Sequence, residues 1–304
     1  MRRSGFTLID LLVVLIVVAF VAGVIFIPMT ARRGCCGSRP IKDSTQIRGI
    51  HQGMVLWAQN NNDVFPLPSL ADPDNSTIAL PQDTPAAAKN TTANIVSLMI
   101  YQGFFSPEIC VSPAEANSNI KVFDKYQYSV PSASPDPAKA LWDPAFPTDF
   151  SNPARPGSFS YAHMLPAESR LRDQWHITFQ ASEAAIGNRG PEVSFVAKGR
   201  GQSVTQTVKN KNSNTFLIHG GRTTWEGNVA YNDNHVNFET RMDPETLLYR
   251  AASGKQWFDT LFYDEPDDAT NNPAANPPTT AHNAFLGNFI DAGSKSTDFV
   301  SIWD

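Results

Sequence analysis

The chain has 304 residues, a formal net charge of −5, 41% hydrophobic and 17% charged residues. No Lys/Arg cluster is interleaved with aromatic residues, so the electrostatic footprint of a nucleic-acid binder is missing. The length suffices for one sizeable domain or two small ones, and 23 prolines with so little charge point to a loop-rich, β-containing domain rather than a helical bundle.

The N-terminus carries the strongest signal. Arg2, Arg3, Ser4 and Gly5 lead into Phe6-Thr7-Leu8-Ile9-Asp10, and an apolar run continues to Ile27 with Asp10 as its single charge. As a helix rising ~1.5 Å per residue, such a run spans a ~30 Å hydrocarbon core. An unpaired carboxylate there costs roughly 2.5–3.5 kcal/mol, less near a helix end, which makes Asp10 a functional candidate. A secretory signal would have a shorter apolar region and a small-x-small cleavage site. The reading is a leader at 1–5, a hydrophobic membrane or filament-core helix at 6–30, a break at 31–40 around Gly34, Gly37 and Pro40, and a head domain at 41–304.

G-F-T-L-I-D-L-L-V-V resembles the class III signal of type IV prepilins and type II secretion pseudopilins. The resemblance implies cleavage after Gly5, N-methylation of Phe6, and an assembly charge at Asp10, where the family usually has glutamate. Its implied partners are a prepilin peptidase, other pilin-like subunits with their assembly platform, and the inner membrane. The chain would be single-pass, with the head outside the cytoplasm.

Beyond the break, Ile47, Ile50, Met54 and Trp57 recur at i, i+3, i+7 and i+10, an amphipathic helix expected to pack on a sheet. Asn60-Asn61-Asn62-Asp63 ends it in a turn. Residues 66–90 read as a loop, and Ala93 to Gly103 as a short helix capped by Thr91 or Thr92. Residues 131–156 hold seven prolines and are expected to wrap the surface in extended form. Strands are expected at 158–165, 174–181, 193–197, 203–208 and 215–219, with a hairpin of 228–231 and 235–239 around Asn232-Asp233-Asn234. Asp243-Pro244-Glu245 signals a helix ending at Gly254. Residues 264–280 form an acidic loop, and the stretch from Phe285 to Trp303 is apolar enough to dock back on the domain.

Two further segments resemble planctomycete proteins that carry a prepilin-type N-terminus. Gln46 to Pro66 is similar to the end of their first helix. His219-Gly220-Gly221 followed by Asn228 to Val236 is similar to their C-terminal H-x9-D-G signature, with a wider His219–Asp233 spacing and Asn234 in place of glycine. The resemblance implies membership, not a site.

Among residues able to carry chemistry, His219, Asp233 and His235 could be zinc or manganese ligands, but the intervening turn favours reading them as turn polar groups and a hydrogen-bonded histidine. Asp264, Glu265, Asp267 and Asp268 are hard oxygen donors of the calcium type, read here as a solvated loop. Cys110 could pair with Cys35 or Cys36. Hydrolase, zincin and phosphate-loop motifs are missing. No metal, cofactor or catalytic residue is therefore expected. The fold class expected is α+β: a long N-terminal hydrophobic helix, then a pilin-like head with an antiparallel β-sheet and extended Pro-rich loops. The function expected is a structural, pilin-like (pseudopilin) filament subunit. The alternatives are a membrane-anchored binding module for glycan or protein and, third, an anchored enzyme.

Overall fold

Helix α1 (Ser38–Gln59) runs through the core of the domain. A computed structural model describes residues 13, 15, 38–198, 201–250, 256–265 and 283–304. Residues Lys42–Asp304 form one unit. Pro40 sits in the first turn of α1, where its missing N–H removes no helical bond. The buried face of α1 is Asp43, Ile47, Ile50, His51, Met54 and Ala58, a spacing close to the helical repeat. The expected stripe is present, except that Trp57 lies only half-buried beside it. Beyond Gln59, Asn60 and Asn61 donate from their side chains to the Leu56 and Trp57 carbonyls. Asn62 and Asp63 then take positive φ, 56° and 62°, a conformation these side chains tolerate.

One expectation is corrected here. Among the described residues no helix is long and apolar enough to cross a membrane. The long helix among them, α1, carries Arg39, Lys42, Asp43 and Arg48, charges that hydrocarbon would not accept. The hydrophobic helix expected at 6–30 lies outside the described residues apart from Val13 and Leu15. The described residues form a mixed helix–sheet domain built on a five-stranded antiparallel sheet.

Helix α2 (Thr92–Tyr101) starts as expected, Thr91 Oγ1 accepting from Asn94 N at 3.3 Å. The main sheet comprises β1 (Tyr161–Met164), β2 (Ala184–Asn188), β5 (Gly227–Tyr231), β6 (Val236–Glu239) and β9 (Leu286–Gly287). Their order is β6-β5-β2-β1-β9, and every pair is antiparallel. Alternation sends Tyr161, Ile186 and Ala230 toward Ile47 and Ile50 of α1 and Val96 and Ile100 of α2. Ala162, Met164, Val229 and Tyr231 join a second cluster with Trp225, Phe262 and Leu286. Smaller hairpins pair β3 (Val193–Lys198) with β4 (Val204–Val208), β7 (Leu248–Arg250) with β8 (Gln256–Phe258), and β10 (Phe289–Asp291) with β11 (Val300–Ser301).

The departures from expectation have physical causes. Residues 174–181 form a single bridge, His176 to Val64, in place of a strand. The strand is instead β2, whose Ala-Ala-Ile-Gly-Asn is buried on both faces and so has no alternation to read. Thr215–Ile218 is one helical turn rather than a strand, its first N–H held by Ser213 Oγ. The helix expected from Asp243 is a turn followed by β7, because Asp243 is buried against Arg241 and Tyr249 packs on Trp257 across the hairpin, ring centroids 5.0 Å apart. The Pro-rich segment has neither helix nor strand and buries Trp142, Phe146 and Phe150. The 66–90 segment, expected as a loop, contains two short helical turns, Pro68–Ala71 and Ala86–Lys89; between them Asp72 accepts from Ser76 N and Thr77 N and pairs with buried Lys89 at 2.8 Å. At the C-terminus, Arg189 holds both Glu115 at 2.8 Å and Asp304 at 2.9 Å.

Candidate functional site

His219 leaves the Thr215–Ile218 turn pointing into α1. Its Nε2 lies 2.9 Å from Asp43 Oδ2. The same oxygen accepts from Asn228 Nδ2 of β5 at 2.8 Å. The other, Oδ1, accepts from Ser112 Oγ and, at 3.2 Å, from the Tyr161 hydroxyl. Tyr161 also reaches Gln46 Oε1 at 3.2 Å. Asp43 is 0% exposed, so four neutral or imidazole donors from α1's neighbours converge on one carboxylate. Burial pushes Asp43 upward, but the bonds from His219, Ser112 and Asn228 outweigh it and hold the acid below its ordinary value. Burial and the adjoining Asp43 charge push the Tyr161 phenol well up, so it stays a donor.

Two turns further along α1, His51 Nδ1 meets Asn234 Oδ1 at 3.0 Å. Because Oδ1 only accepts, the ring carries its proton on Nδ1. Burial drives this histidine's pKa down, against smaller opposing effects from Asn234 and Asp233, so it is neutral near pH 7. The turn that presents Asn234 is a three-residue loop. Asn234 N donates to Tyr231 O at 2.8 Å, Tyr231 N donates to His235 O at 3.0 Å, and Asn234 sits at φ 67°.

These contacts give the His219…Asn234 region a structural meaning. Both of its ends bond buried polar side chains on one face of α1, locking the helix to the sheet. The arrangement does not form a nucleophilic triad. Ser112 bonds the carboxylate, not the imidazole, and the acid occupies the centre that histidine would need.

The other sequence candidates separate. Asp233 accepts from His235 Nδ1 and from His235 N, and His235 stacks flat on Tyr231 at 4.5 Å. Neither reaches His219's partner. Among the described residues no group of three or more His, Cys, Asp or Glu is arranged to hold a metal. Asp264 pairs with buried Arg170 and accepts from Asn283 Nδ2 at 2.9 Å, while Glu265 is buried rather than solvated. Asp267 and Asp268 lie outside the described residues, as do Cys35 and Cys36. Cys110 is a buried free thiol, its pKa pushed far up by burial. Gly5, Phe6 and Asp10 also lie outside the described residues.

Sequence reasoning missed Asp43 and His51. The available signal was register: both fall on the helical face of Ile47, Ile50 and Met54, where a polar residue must find a partner. Comparison of the chain with protein-family models, curated proteins and solved structures returns no match. With no such match and no membrane-crossing helix among the described residues, the expected labels of secretion pseudopilin and transmembrane helix are set aside.

Proposed function

We propose that the chain is a structural, pilin-like filament subunit, matured at the inner membrane by a prepilin peptidase, with residues 41–304 as its extracytoplasmic head. The observation that carries this reading is the Arg2-Arg3-Ser4-Gly5-Phe6 junction followed by Asp10 inside an otherwise apolar run. Removal of residues 1–5 exposes the Phe6 amine, and Asp10 of a neighbouring subunit is its natural counter-charge. In an apolar setting the two charges are tolerable only as a pair.

The head's architecture is compatible with that role. A subunit under load needs its helix fixed to its sheet, and α1 is fixed at Asp43 and His51 by hydrogen bonds whose partners lie 176 and 183 positions away.

Mass spectrometry of the purified protein tests the proposal. The mature chain begins at a singly methylated Phe6. An intact Met1, or a cut after residue 19, overturns it. Asp10→Ala then separates assembly from maturation: cleavage persists, and co-assembly with other pilin-like subunits falls.

A further inference from the structure

Where α1 ends, the surface opens into a cleft of about 560 Å³ whose floor is Phe65, Leu67 and Leu98, all buried. Its rim carries Trp57, Asn61, Asn62, Leu70 and Gln102. We propose that this cleft binds a neutral carbohydrate chain.

The lining contains no charged residue, although the chain has 24 Lys/Arg and 29 Asp/Glu. An anionic or cationic ligand would meet no counter-charge there. A purely apolar ligand would make no use of the rim amides. Sugars present the matching chemistry, an apolar C–H face to lie on an aromatic ring and neutral hydroxyls that both donate and accept. The volume is within the range of small-ligand sites, ~300–1,000 Å³.

Trp57 is the cleft's aromatic surface. Three buried indoles, Trp142, Trp175 and Trp225, spend their N–H groups internally, on Asn94 Oδ1, Pro66 O and Arg189 O. Trp57, half-buried at the cleft, has no such acceptor among the described residues. Its ring is oriented by an edge contact with Phe104 at 6.1 Å. Asn61 is tied back by donating to the Trp57 carbonyl at 2.8 Å. The exposed side-chain amides of Asn62 and Gln102 have no hydrogen-bond partner among the described residues. Asn62 is held at φ 56° in a turn whose neighbours, Asn61 and Asp63, both donate to the Ala58 carbonyl, so its position is fixed before any ligand arrives. Leu70, 70% exposed, supplies an apolar wall.

This inference stands apart from filament assembly, because it concerns the head alone and neither requires nor excludes cleavage at Gly5. The full-length protein, in a detergent without a sugar headgroup, is titrated by calorimetry and tryptophan fluorescence. The probes are neutral hexasaccharides (β-1,4-glucan, β-1,3-glucan, chitin, mannan) and, in parallel, alginate and polygalacturonate oligomers. Saturable binding of at least one neutral probe is expected, weakened at least about tenfold in Trp57→Ala. Because Trp57 also packs on Phe104, the surface pair Asn62→Ala with Gln102→Ala carries the test should Trp57→Ala unfold. Phe195→Ala, an exposed aromatic outside the cleft, leaves binding unchanged. Absence of neutral binding, preference for the anionic probes, or equal binding by the cleft variants overturns the proposal.

Discussion

His51 of α1 and Asn234 of the β5–β6 turn are joined by a 3.0 Å hydrogen bond across 183 residues of chain. Asn234 thus does two things, adopting φ 67° and accepting the imidazole proton. Glycine adopts positive φ without steric cost but would leave His51 with no hydrogen-bond partner among the described residues, since its Nε2 already has none there. A buried group left unsatisfied costs ~1–3 kcal/mol. Asn234→Gly is therefore expected to destabilise the protein by about 1–2 kcal/mol net. From sequence alone the same change reads as neutral or stabilising. Urea unfolding of the pair decides between the two outcomes.

A second histidine sets the acid response. Phe289 N donates to Thr92 Oγ1 at 2.7 Å, Thr92 Oγ1 lies 2.8 Å from His163 Nε2, and His163 Nδ1 lies 2.8 Å from Met164 O. With Nδ1 donating to the carbonyl, Nε2 accepts from the threonine, which requires the neutral ring. Burial lowers this pKa to about 4, against a smaller upward push from the Met164 carbonyl. A histidine whose folded pKa lies below its unfolded value gives stability that is full above about pH 6.5 and is lost as the pH falls toward 4. The protein should lose a few kcal/mol over that window. His163→Gln should start less stable and lose less. Equal slopes in urea titrations at pH 7 and pH 4.5 would show that another group governs the acid limb.

The parts of the fold legible in the sequence are those with a local pattern. The α1 stripe, the Thr91 cap, the strands β3 and β4 taken singly and the β5–β6 hairpin each announce themselves within about a dozen residues, through periodicity or turn chemistry. What was not legible depends on distant partners. β2 has no alternation because both its faces are covered. Thr215–Ile218 has β-favouring residues, but the Ser213 hydroxyl and the need to deliver His219 to Asp43 coil it instead. His219 was visible as a motif residue, whereas Asp43 was invisible as its partner. Trp57 belongs to the apolar stripe by spacing, yet lies beside the buried face because Phe104 and the cleft hold it there.

Glu265 offers an alkaline counterpart to His163. Both its carboxylate oxygens are buried without a hydrogen-bond partner among the described residues. Burial first, then the Asp259 and Asp264 charges, raise its pKa well above the ordinary value, with Arg170 pulling only weakly the other way. A carboxyl raised in the folded state gives stability that is full below its unfolded pKa and is lost as pH rises through the folded one. Glu265→Gln keeps the shape and removes the titration. It should leave stability near pH 4.5 almost unchanged, raise it at pH 8, and flatten the decline between them. A variant that tracks the wild type across thermal melts at both pH values would mean that Glu265 is not held protonated.

The Asp43–His219 contact tests whether the buried carboxylate organises the domain or merely sits in it. A buried donor left without its acceptor costs ~1–3 kcal/mol. Asp43→Asn should reach that range, since its amide would oppose at least one of the donors from His219, Asn228, Ser112 and Tyr161. His219→Ala should cost less, as three donors still serve the acid. If the carboxylate is the hub, the double variant will fall short of the sum by ~0.5–3 kcal/mol. The pH dependence gives an independent reading. Asp43 is held below its ordinary value, so its contribution is present above the unfolded pKa of about 3.9 and is lost as the pH falls through the folded one. Asp43→Asn should therefore remove part of the loss below pH 4, while leaving the histidine-driven loss between 6.5 and 4 in place. Additive single-variant effects, or an unchanged limb below pH 4, would show that α1 is held to the sheet by its apolar face alone.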